Sequence, residues 1–360
     1  MQETTIRWCD GGIYVEPAFP DSLLKKLKYW RRQLEWSEER MARISTGQYE
    51  QLYVVDSWID PDTNVFKQRL YTYPGFLHRI KTALAEAGWR YRVIDERTPF
   101  PEPDVYGACA HLRTYQYEAA YKALVSGGGI ISAPTGFGKT ALMAALIKGA
   151  SRETLQMRNT PLIVVTAPDK DINAKNYRDF IDPELNFLPG RDVGLVMTGH
   201  NKFSDDIQVI TLDSLHRIDP DDVGVLIVDE VHTAASDKRS EHIGRMIKAR
   251  KWGVSATPTG RFDGRDLVTE GLFGPLVYSC TYGEAVKFGA LVPITVYWVE
   301  CPEPDIGLER FLRYKTRDGK YRQGVWRNHN RNAIIADILD KLPQDMQAMC
   351  IMQRLDQMNS

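Results

Sequence analysis

Residues 130–140 read IISAPTGFGKT, a short apolar run that leads through a glycine-containing turn into a Lys-Thr pair. A pattern typical of an apolar helix follows at once, so the segment predicts a strand, a tight turn and a helix. Gly136 and Gly138 would let backbone N–H groups surround a phosphate at the helix N-terminus. Lys139 is placed to reach the β- and γ-phosphates, and the hydroxyl of Thr140 to bind Mg²⁺. The segment lacks the first glycine of the strict GxxxxGK[ST] pattern, but it still predicts a nucleoside triphosphate site.

Outward from this segment, short β-branched runs alternate with helix-sized stretches. The runs are Leu162 to Thr166, Ile207 to Thr211 and Val225 to Val228. Buried parallel strands have this composition, because helices cover both faces of their sheet. Residues 105–288 are therefore predicted to form a doubly wound α/β domain.

The segments on either side predict two further domains. Residues 1–104 are predicted to be a small α/β domain that ends in the proline-rich stretch 98–103. Its expected elements are a hairpin around Asp10-Gly11-Gly12, helices from about Asp21 to Leu34 and Pro74 to Ala87, and a strand from Trp89 to Ile94. Residues 289–360 are predicted to open another domain, with strands Ile294 to Val299 and Met349 to Met352 and a helix from Asn332 to Leu342.

Two acidic residues stand directly after the buried run that ends at Val228. In a protein with a phosphate-binding loop, Asp229 at a strand end is placed to hold Mg²⁺, and Glu230 to orient or deprotonate the attacking water. A helix cap or a solvated loop would be the ordinary interpretation of such a pair without the loop upstream. The stretch 253–258, GVSATP, is weak evidence by itself.

Basic side chains crowd two places along the chain. The first predicted helix carries Lys25, Lys26, Lys28, Arg31 and Arg32 beside Trp30 and Trp36. We interpret it as an amphipathic helix with a solvated basic face and Trp30 in the core; phosphate contact and base stacking are the alternative. A basic, tyrosine-containing stretch at 310–327 is equally compatible with a solvated loop and with a loop that touches nucleic acid.

The composition is that of an ordinary globular protein. The 360 residues include 46 Lys plus Arg against 47 Asp plus Glu, and 43% are hydrophobic. These values exclude a disordered chain, a collagen-like fibre and a membrane bundle. Without a signal peptide, a membrane-length apolar run or paired cysteines, we expect a cytoplasmic monomer with no membrane partner. Because the net charge is −1, any nucleic-acid binding would depend on local basic patches.

The order of the motifs AxxGxGKT, DEVH and SATP resembles that of the superfamily 2 helicases and translocases of the DExH kind. The resemblance covers residues 110–300 and implies a RecA-like fold that uses ATP and Mg²⁺. Residues 112–116, LRTYQ, resemble an upstream element of the family whose glutamine reads adenine. Carried onto this chain, the ATP-binding residues are Arg113, Gln116, Pro134, Thr135, Gly136, Phe137, Gly138, Lys139 and Thr140. The resemblance also implies catalytic residues Lys139, Asp229 and Glu230 and metal ligands Thr140 and Asp229. The residues that it implies for coupling are His232, Ser255 and Thr257. The nucleic-acid contacts that it implies are Pro168, Thr211 and Ser214.

The small domain before these motifs most resembles phage recombination and repair helicases of the UvsW type. That likeness favours branched or single-stranded DNA as partner and 3′ to 5′ movement, in the host cytoplasm if a phage encodes the chain. The motifs themselves do not separate DNA from RNA, since such domains grip the backbone. The family's QxxGRxxR arginines find no match here, so we expect an incomplete second RecA-like domain and low ATPase activity of this chain alone. The alternatives are a nucleotide- and nucleic-acid-binding module without motor activity, and the motor part of a restriction enzyme.

Overall fold

The computed structural model describes residues 3–37, 42–100, 102–300 and 328–343, together with residues 346 and 348. The chain divides into two compact units, Met1–Pro293 and Ile294–Ser360. In the part that is described, no helix has the length and apolar character needed to cross a membrane.

The N-terminal part of the first unit is built on a mixed five-stranded sheet in the order β5-β6-β2-β1-β7. A separate antiparallel ribbon joins β3 to β4. The elements are β1 (Glu3–Cys9), β2 (Gly12–Glu16), α1 (Asp21–Lys26), β3 (Lys28–Ser37), β4 (Ala42–Gln51), β5 (Tyr53–Ile59), β6 (Phe66–Thr72), α2 (Leu77–Glu86) and β7 (Arg90–Asp95). The predicted hairpin, the second helix and the strand after it are confirmed.

The first predicted helix is wrong beyond Leu27. Only α1 is helical, and the chain then pairs with β4 over ten residues, from Lys28 to Ser37. Long-range pairing with a second strand overrides the helical spacing, and the aromatic side chains favour a strand. Trp30 lies not in the core but 45% exposed, with its ring 5.0 Å from that of Tyr49. The basic side chains therefore do not share one helix.

A mostly parallel sheet of eight strands follows, in the order β11-β10-β12-β9-β13-β14-β8-β15, with only β11 antiparallel. Its strands are β8 (Gly129–Ser132), β9 (Leu162–Ala167), β10 (Val193–Met197), β11 (His200–Lys202), β12 (Ile207–Thr211), β13 (Val223–Asp229), β14 (Arg250–Ser255) and β15 (Leu276–Ser279). The accompanying helices are α3 (Val105–Cys109), α4 (Thr114–Ser126), α5 (Lys139–Lys148), α6 (Arg152–Met157), α7 (Lys170–Ile181), α8 (Asp237–Arg245), α9 (Asp266–Phe273) and α10 (Tyr282–Lys287).

Helices cover both faces of this sheet. Alternate strand residues point to opposite sides, so Ile163 and Val165 share a core with α4, α5 and α7, while Val164 packs in a second core with α8 and α9. This arrangement confirms the predicted doubly wound α/β class. The carboxyl ends of the parallel strands meet at one edge, which is where ligands bind in such sheets.

The second unit is described in part. Its helix α11 (His329–Asp340) confirms a helix close to the predicted one. The strand predicted at Ile294 to Val299 is wrong, because this stretch has no regular secondary structure; β-branched composition forms a strand only where a neighbouring strand supplies hydrogen bonds. The basic stretch 310–327 and the strand predicted at Met349 to Met352 lie outside the described residues. The domain bounds drawn from the sequence, with 289–360 as the start of a second RecA-like domain, stay a prediction.

Candidate active site

The glycine-containing turn lies between β8 and α5 and has the backbone conformation that its residues imply. Gly136 and Gly138 have φ values of +87° and +90°, which residues with a side chain rarely adopt. A Cβ at Gly138 would lie 2.2 Å from Nε2 of Gln116, so the absence of a side chain there is also a packing requirement. The turn thereby leaves the amino end of α5 open to an anion.

Residues 112–116, the LRTYQ element upstream of the turn, are attached to the turn by Gln116. The Nε2 atom of Gln116 donates to the carbonyl of Phe137 at 2.8 Å, and its Oε1 accepts from the backbone N–H of Arg113 at 2.9 Å. Gln116 is buried, whereas Arg113 is exposed. Gln116, which is predicted to read adenine, therefore also supports the phosphate loop. Its Nε2 has a second proton, which is available to a nucleobase.

The remaining loop residues differ in what they can offer to a nucleotide. Pro134 and Phe137 are buried, and the Phe137 ring packs 5.1 Å from that of Tyr115, so these two can contribute only backbone atoms. Thr135 is exposed beside the loop.

Lys139 and the two acids come together although they lie some ninety positions apart. The Nζ atom of Lys139 donates to Oε1 of Glu230 at 3.2 Å and lies 4.0 Å from Oδ1 of Asp229. Asp229 ends β13 and is only 5% exposed. Burial raises the pKa of Asp229, Glu230 raises it further, and Lys139 opposes both. A buried carboxylate with one nearby cation is a group that a bound metal ion would stabilise.

Glu230 is held in a strained backbone conformation. Its φ of +52° and ψ of +50° are left-handed, which is uncommon for a residue with a side chain. Its own N–H donates to Oδ1 of Asp229 at 3.0 Å, and its Oε2 accepts from the Ser255 hydroxyl at 3.0 Å. The turn thus aims the Glu230 carboxylate across the strand ends toward Lys139.

The three predicted coupling residues form one hydrogen-bonded group around Ser255. The Ser255 hydroxyl lies 3.0 Å from Nδ1 of His232 and accepts from the backbone N–H of Thr257 at 3.1 Å. Because the single hydroxyl proton is donated to Glu230, the proton between Ser255 and His232 belongs to Nδ1 of the histidine. Ser255 therefore connects the 255–257 segment to Glu230 through hydrogen bonds.

Three residues of the site, Lys175, Asn176 and Arg261, were not predicted from the sequence. Thr140 donates to Oδ1 of Asn176 at 3.3 Å and accepts from Nζ of Lys175 at 3.2 Å, both on α7. Arg261 donates to the carbonyl of His232. The available signal was that Lys175 and Asn176 lie in the first two turns of α7, which begins at the carboxyl end of β9 and so at this edge of the sheet.

The residues present fit a magnesium ion. Thr140 and Asp229 offer hydroxyl and carboxylate oxygens, the donors that Mg²⁺ prefers. In addition, a hydrogen bond from the Asn176 side chain opposes the rise in the pKa of Asp229, so this amide faces the carboxylate that would hold the metal ion.

The predicted nucleic-acid contacts lie at the same edge of the sheet. Pro168 follows the end of β9, and Thr211 ends β12 and donates to the hydroxyl of Ser214 at 2.8 Å. All three are partly exposed. They lie at the ends of two adjacent strands, three and four positions along the sheet from β8, which precedes the phosphate loop.

Comparison with known proteins gives one family and several relatives. Residues 110–260 match the family described as Type III restriction enzyme, res subunit. The DNA 3′-5′ translocase XPB2 of Sulfurisphaera tokodaii is 31% identical over 212 residues, which are 58% of this chain and 44% of the relative. The DNA 3′-5′ helicase XPB of Mycobacterium tuberculosis is 26% identical over 321 residues, 84% of this chain and 53% of the relative. The chain thus spans about half the length of these curated relatives.

The fold is similar to that of the UvsW helicase from bacteriophage T4. One UvsW structure matches with a TM-score of 0.52 and covers 77% of this chain and 100% of its own. Another matches with a TM-score of 0.53 and covers 77% of this chain and 57% of its own. Both are 16% identical in sequence. This likeness concerns the fold alone and confirms the predicted RecA-like architecture behind a small α/β region.

Proposed function

We propose that the chain is an ATP-dependent motor of superfamily 2 of the helicases and translocases and that it moves on DNA. The observation that carries the proposal is the convergence of Lys139, Asp229, Glu230 and Ser255 at one edge of the sheet. They come from three different strand ends, and together they supply phosphate, metal, water and coupling positions.

In the proposed mechanism, ATP enters with its phosphates on the loop that contains Gly136 and Gly138. Lys139 exchanges its ion pair with Glu230 for the β- and γ-phosphates. Thr140 and Asp229 would hold Mg²⁺, which when bound neutralises charge on these phosphates. The released Glu230 then orients a water and accepts its proton.

Coupling to movement would run through Ser255. Its hydroxyl contacts Glu230 directly, while Thr257 and His232 contact Ser255 from either side. A change in Glu230 on ATP binding therefore alters the 255–257 segment, which leads away from the ATP site. We propose that Pro168, Thr211 and Ser214 grip the nucleic-acid backbone at this edge.

DNA is the proposed partner because both curated relatives are described as acting on DNA in the 3′ to 5′ direction. Remodelling of branched DNA in recombination or repair is the finer proposal, and the fold shared with UvsW is consistent with it. We further propose that the protein works as a monomer in the cytoplasm, in that of the host if a phage encodes it.

The test is the steady-state ATPase rate with Mg²⁺, measured without DNA and with single-stranded, duplex and forked DNA. We expect DNA to stimulate turnover and Lys139→Ala to abolish it, while Lys122→Gln, a matched change at an exposed ion pair with Glu118, leaves it unchanged. Nucleotide binding without turnover on any DNA would instead support the binding-module alternative. Stimulation by RNA alone would contradict the choice of partner.

A motor of a restriction enzyme is the second candidate, because the matched family carries a restriction enzyme subunit in its description. Such a role requires a nuclease partner. The protein is incubated with ATP, Mg²⁺ and supercoiled plasmid, with and without co-purified proteins from its source. This experiment separates the restriction role from that of a motor without a nuclease. Cleavage that requires both ATP and a partner would favour the restriction role.

A further inference from the structure

A cavity of about 540 Å³ lies at the opposite end of the central sheet from the ATP site. It is formed where the N-terminal mixed sheet meets the start of β8 and β14, and its lining includes Trp8, Arg97, Gly127, Arg250 and Lys251. Arg250 begins β14, whereas Ser255 at the other end of that strand belongs to the ATP site. Five residue steps of strand separate the two places by about 17 Å, so the cavity is a separate site.

Three arginines are held in this cavity by aromatic rings. The Arg97 guanidinium lies 3.2 Å from the centre of the Trp8 ring, and those of Arg158 and Arg250 lie 4.8 Å and 4.0 Å from the centre of Phe100. Stacking occupies the flat face of a guanidinium and leaves the N–H groups at its edge free to donate. The rings therefore fix the cations without satisfying their hydrogen bonds.

Arg250 has the least compensation of the three. Among the described residues its guanidinium makes no hydrogen bond or ion pair, and its contact is with the Phe100 ring. A Cβ at Gly127 would lie 2.6 Å from one of its terminal nitrogens, so the glycine leaves the room that this side chain occupies. Burial, together with the like charges of Arg97 and Arg158, lowers the pKa of Arg250 to about 10.

Lys251 follows Arg250 on β14, and its side chain therefore lies on the opposite face of the sheet. The residue is 7% exposed, and burial alone lowers its pKa to about 8. In the part of the chain that the structure describes, Lys251 has no carboxylate partner. At neutral pH the ammonium is nevertheless mostly protonated, since its pKa still lies above 7.

The carboxylates of the cavity do not balance these charges. Asp95 forms a two-point pair with Arg97, at 2.9 Å and 2.7 Å. Asp10 accepts from the backbone N–H and the hydroxyl of Thr98. Three cations (Arg97, Arg158 and Arg250) thus face two carboxylates, which leaves an excess of about one positive charge in a partly buried space. Such an excess is stabilised by an anion of matching charge.

We propose that this cavity is a second phosphate-binding site of the protein, distinct from the ATP site. A phosphate group carries close to two negative charges at neutral pH and offers several oxygens to the free edge of Arg250 and to Nε and Nη1 of Arg158, which are buried without a hydrogen-bond partner among the described residues. A space of about 540 Å³ also admits the ester group attached to it. The phosphate can come from a small soluble compound or from the backbone of a nucleic acid.

The test measures inorganic phosphate binding to the full chain in a Lys139→Ala background, which removes the main phosphate contact of the ATP site. Binding is read from the rise in melting temperature with phosphate, against sodium chloride of equal ionic strength. We expect Arg250→Gln in that background to weaken binding at least about tenfold and Lys122→Gln to leave it unchanged. Arg250→Lys, which keeps the charge but loses the planar fork, should fall between them, and circular dichroism confirms that each variant is folded.

A short single-stranded oligonucleotide then identifies the source of the phosphate. If a nucleic-acid backbone enters the cavity, Arg250→Gln weakens oligonucleotide binding and phosphate competes with it; if a small compound enters, only phosphate binding is affected. Both results support the site. Loss of all phosphate binding in Lys139→Ala, or equal binding by folded Arg250→Gln, would overturn it, and neither result bears on the ATPase proposal.

Discussion

Replacing Lys251 with methionine should stabilise the protein, because the native side chain is a buried cation without a counter-charge. A lowering of its pKa from 10.5 to about 8 corresponds to about 3 kcal/mol of preference for the neutral form in the folded state. Methionine has a similar length and no charge, so Lys251→Met should raise the free energy of unfolding by about 2–3 kcal/mol at pH 7.

The pH dependence of this effect has a definite sign. Between about pH 8 and 10.5 the folded chain has released the Lys251 proton while the unfolded chain still holds it, so the native protein gains stability as the pH rises. Below pH 8 the cost is fully present. The advantage of Lys251→Met should therefore be greatest at pH 7 and disappear near pH 10.5.

The measurement is urea unfolding of the native protein and Lys251→Met at pH 7, 9 and 10.5 in phosphate-free buffer. Lys248→Met is the matched control, because this neighbouring lysine is 41% exposed and lies 3.6 Å from Asp221, and we expect a change of less than about 0.5 kcal/mol. A destabilised Lys251→Met, or a gain that does not vary with pH, would refute the reasoning.

Three further predictions concern the ATP site. Gly138→Ala should destabilise the chain by about 1–3 kcal/mol and reduce ATP affinity, since the φ of Gly138 is +90° and the new methyl would lie 2.2 Å from Gln116. Thermal melts measure the stability and nucleotide titration measures the affinity. If neither changes, the conformation described for the loop is wrong. Asp229→Asn should stabilise the nucleotide-free protein at pH 7 while abolishing turnover. Because burial raises the pKa of Asp229, the native protein loses stability as the pH rises through that pKa, so the gain should vanish below about pH 4; a gain that persists in acid would argue for another cause. Glu230→Gln should keep ATP affinity within about threefold and slow single-turnover hydrolysis by about 10²–10⁴-fold, whereas a normal rate would exclude Glu230 as the base.

The sequence by itself determined the features that depend on neighbouring residues. The phosphate loop follows from two glycines and a Lys-Thr pair, because left-handed φ values and a helix N-terminus are local requirements. The buried parallel strands follow from short β-branched runs, and Asp229 and Glu230 follow from their place at the end of one of them. The superfamily was likewise readable, since its motifs are contiguous stretches in a fixed order.

Tertiary structure alone decided whatever depends on distant partners. Trp30 was expected in a helix core and lies exposed on a strand, because pairing with β4 overrides a helical spacing that is only a weak local preference. The strand expected at Ile294 to Val299 is absent for the converse reason, since no local property supplies a neighbouring strand. Asn176 reaches Thr140 only because α5 and α7 pack on the same face of the sheet. The net charge of −1 gives no sign of the excess positive charge around Arg250. That excess arises because folding brings together more cations than carboxylates from distant parts of the sequence.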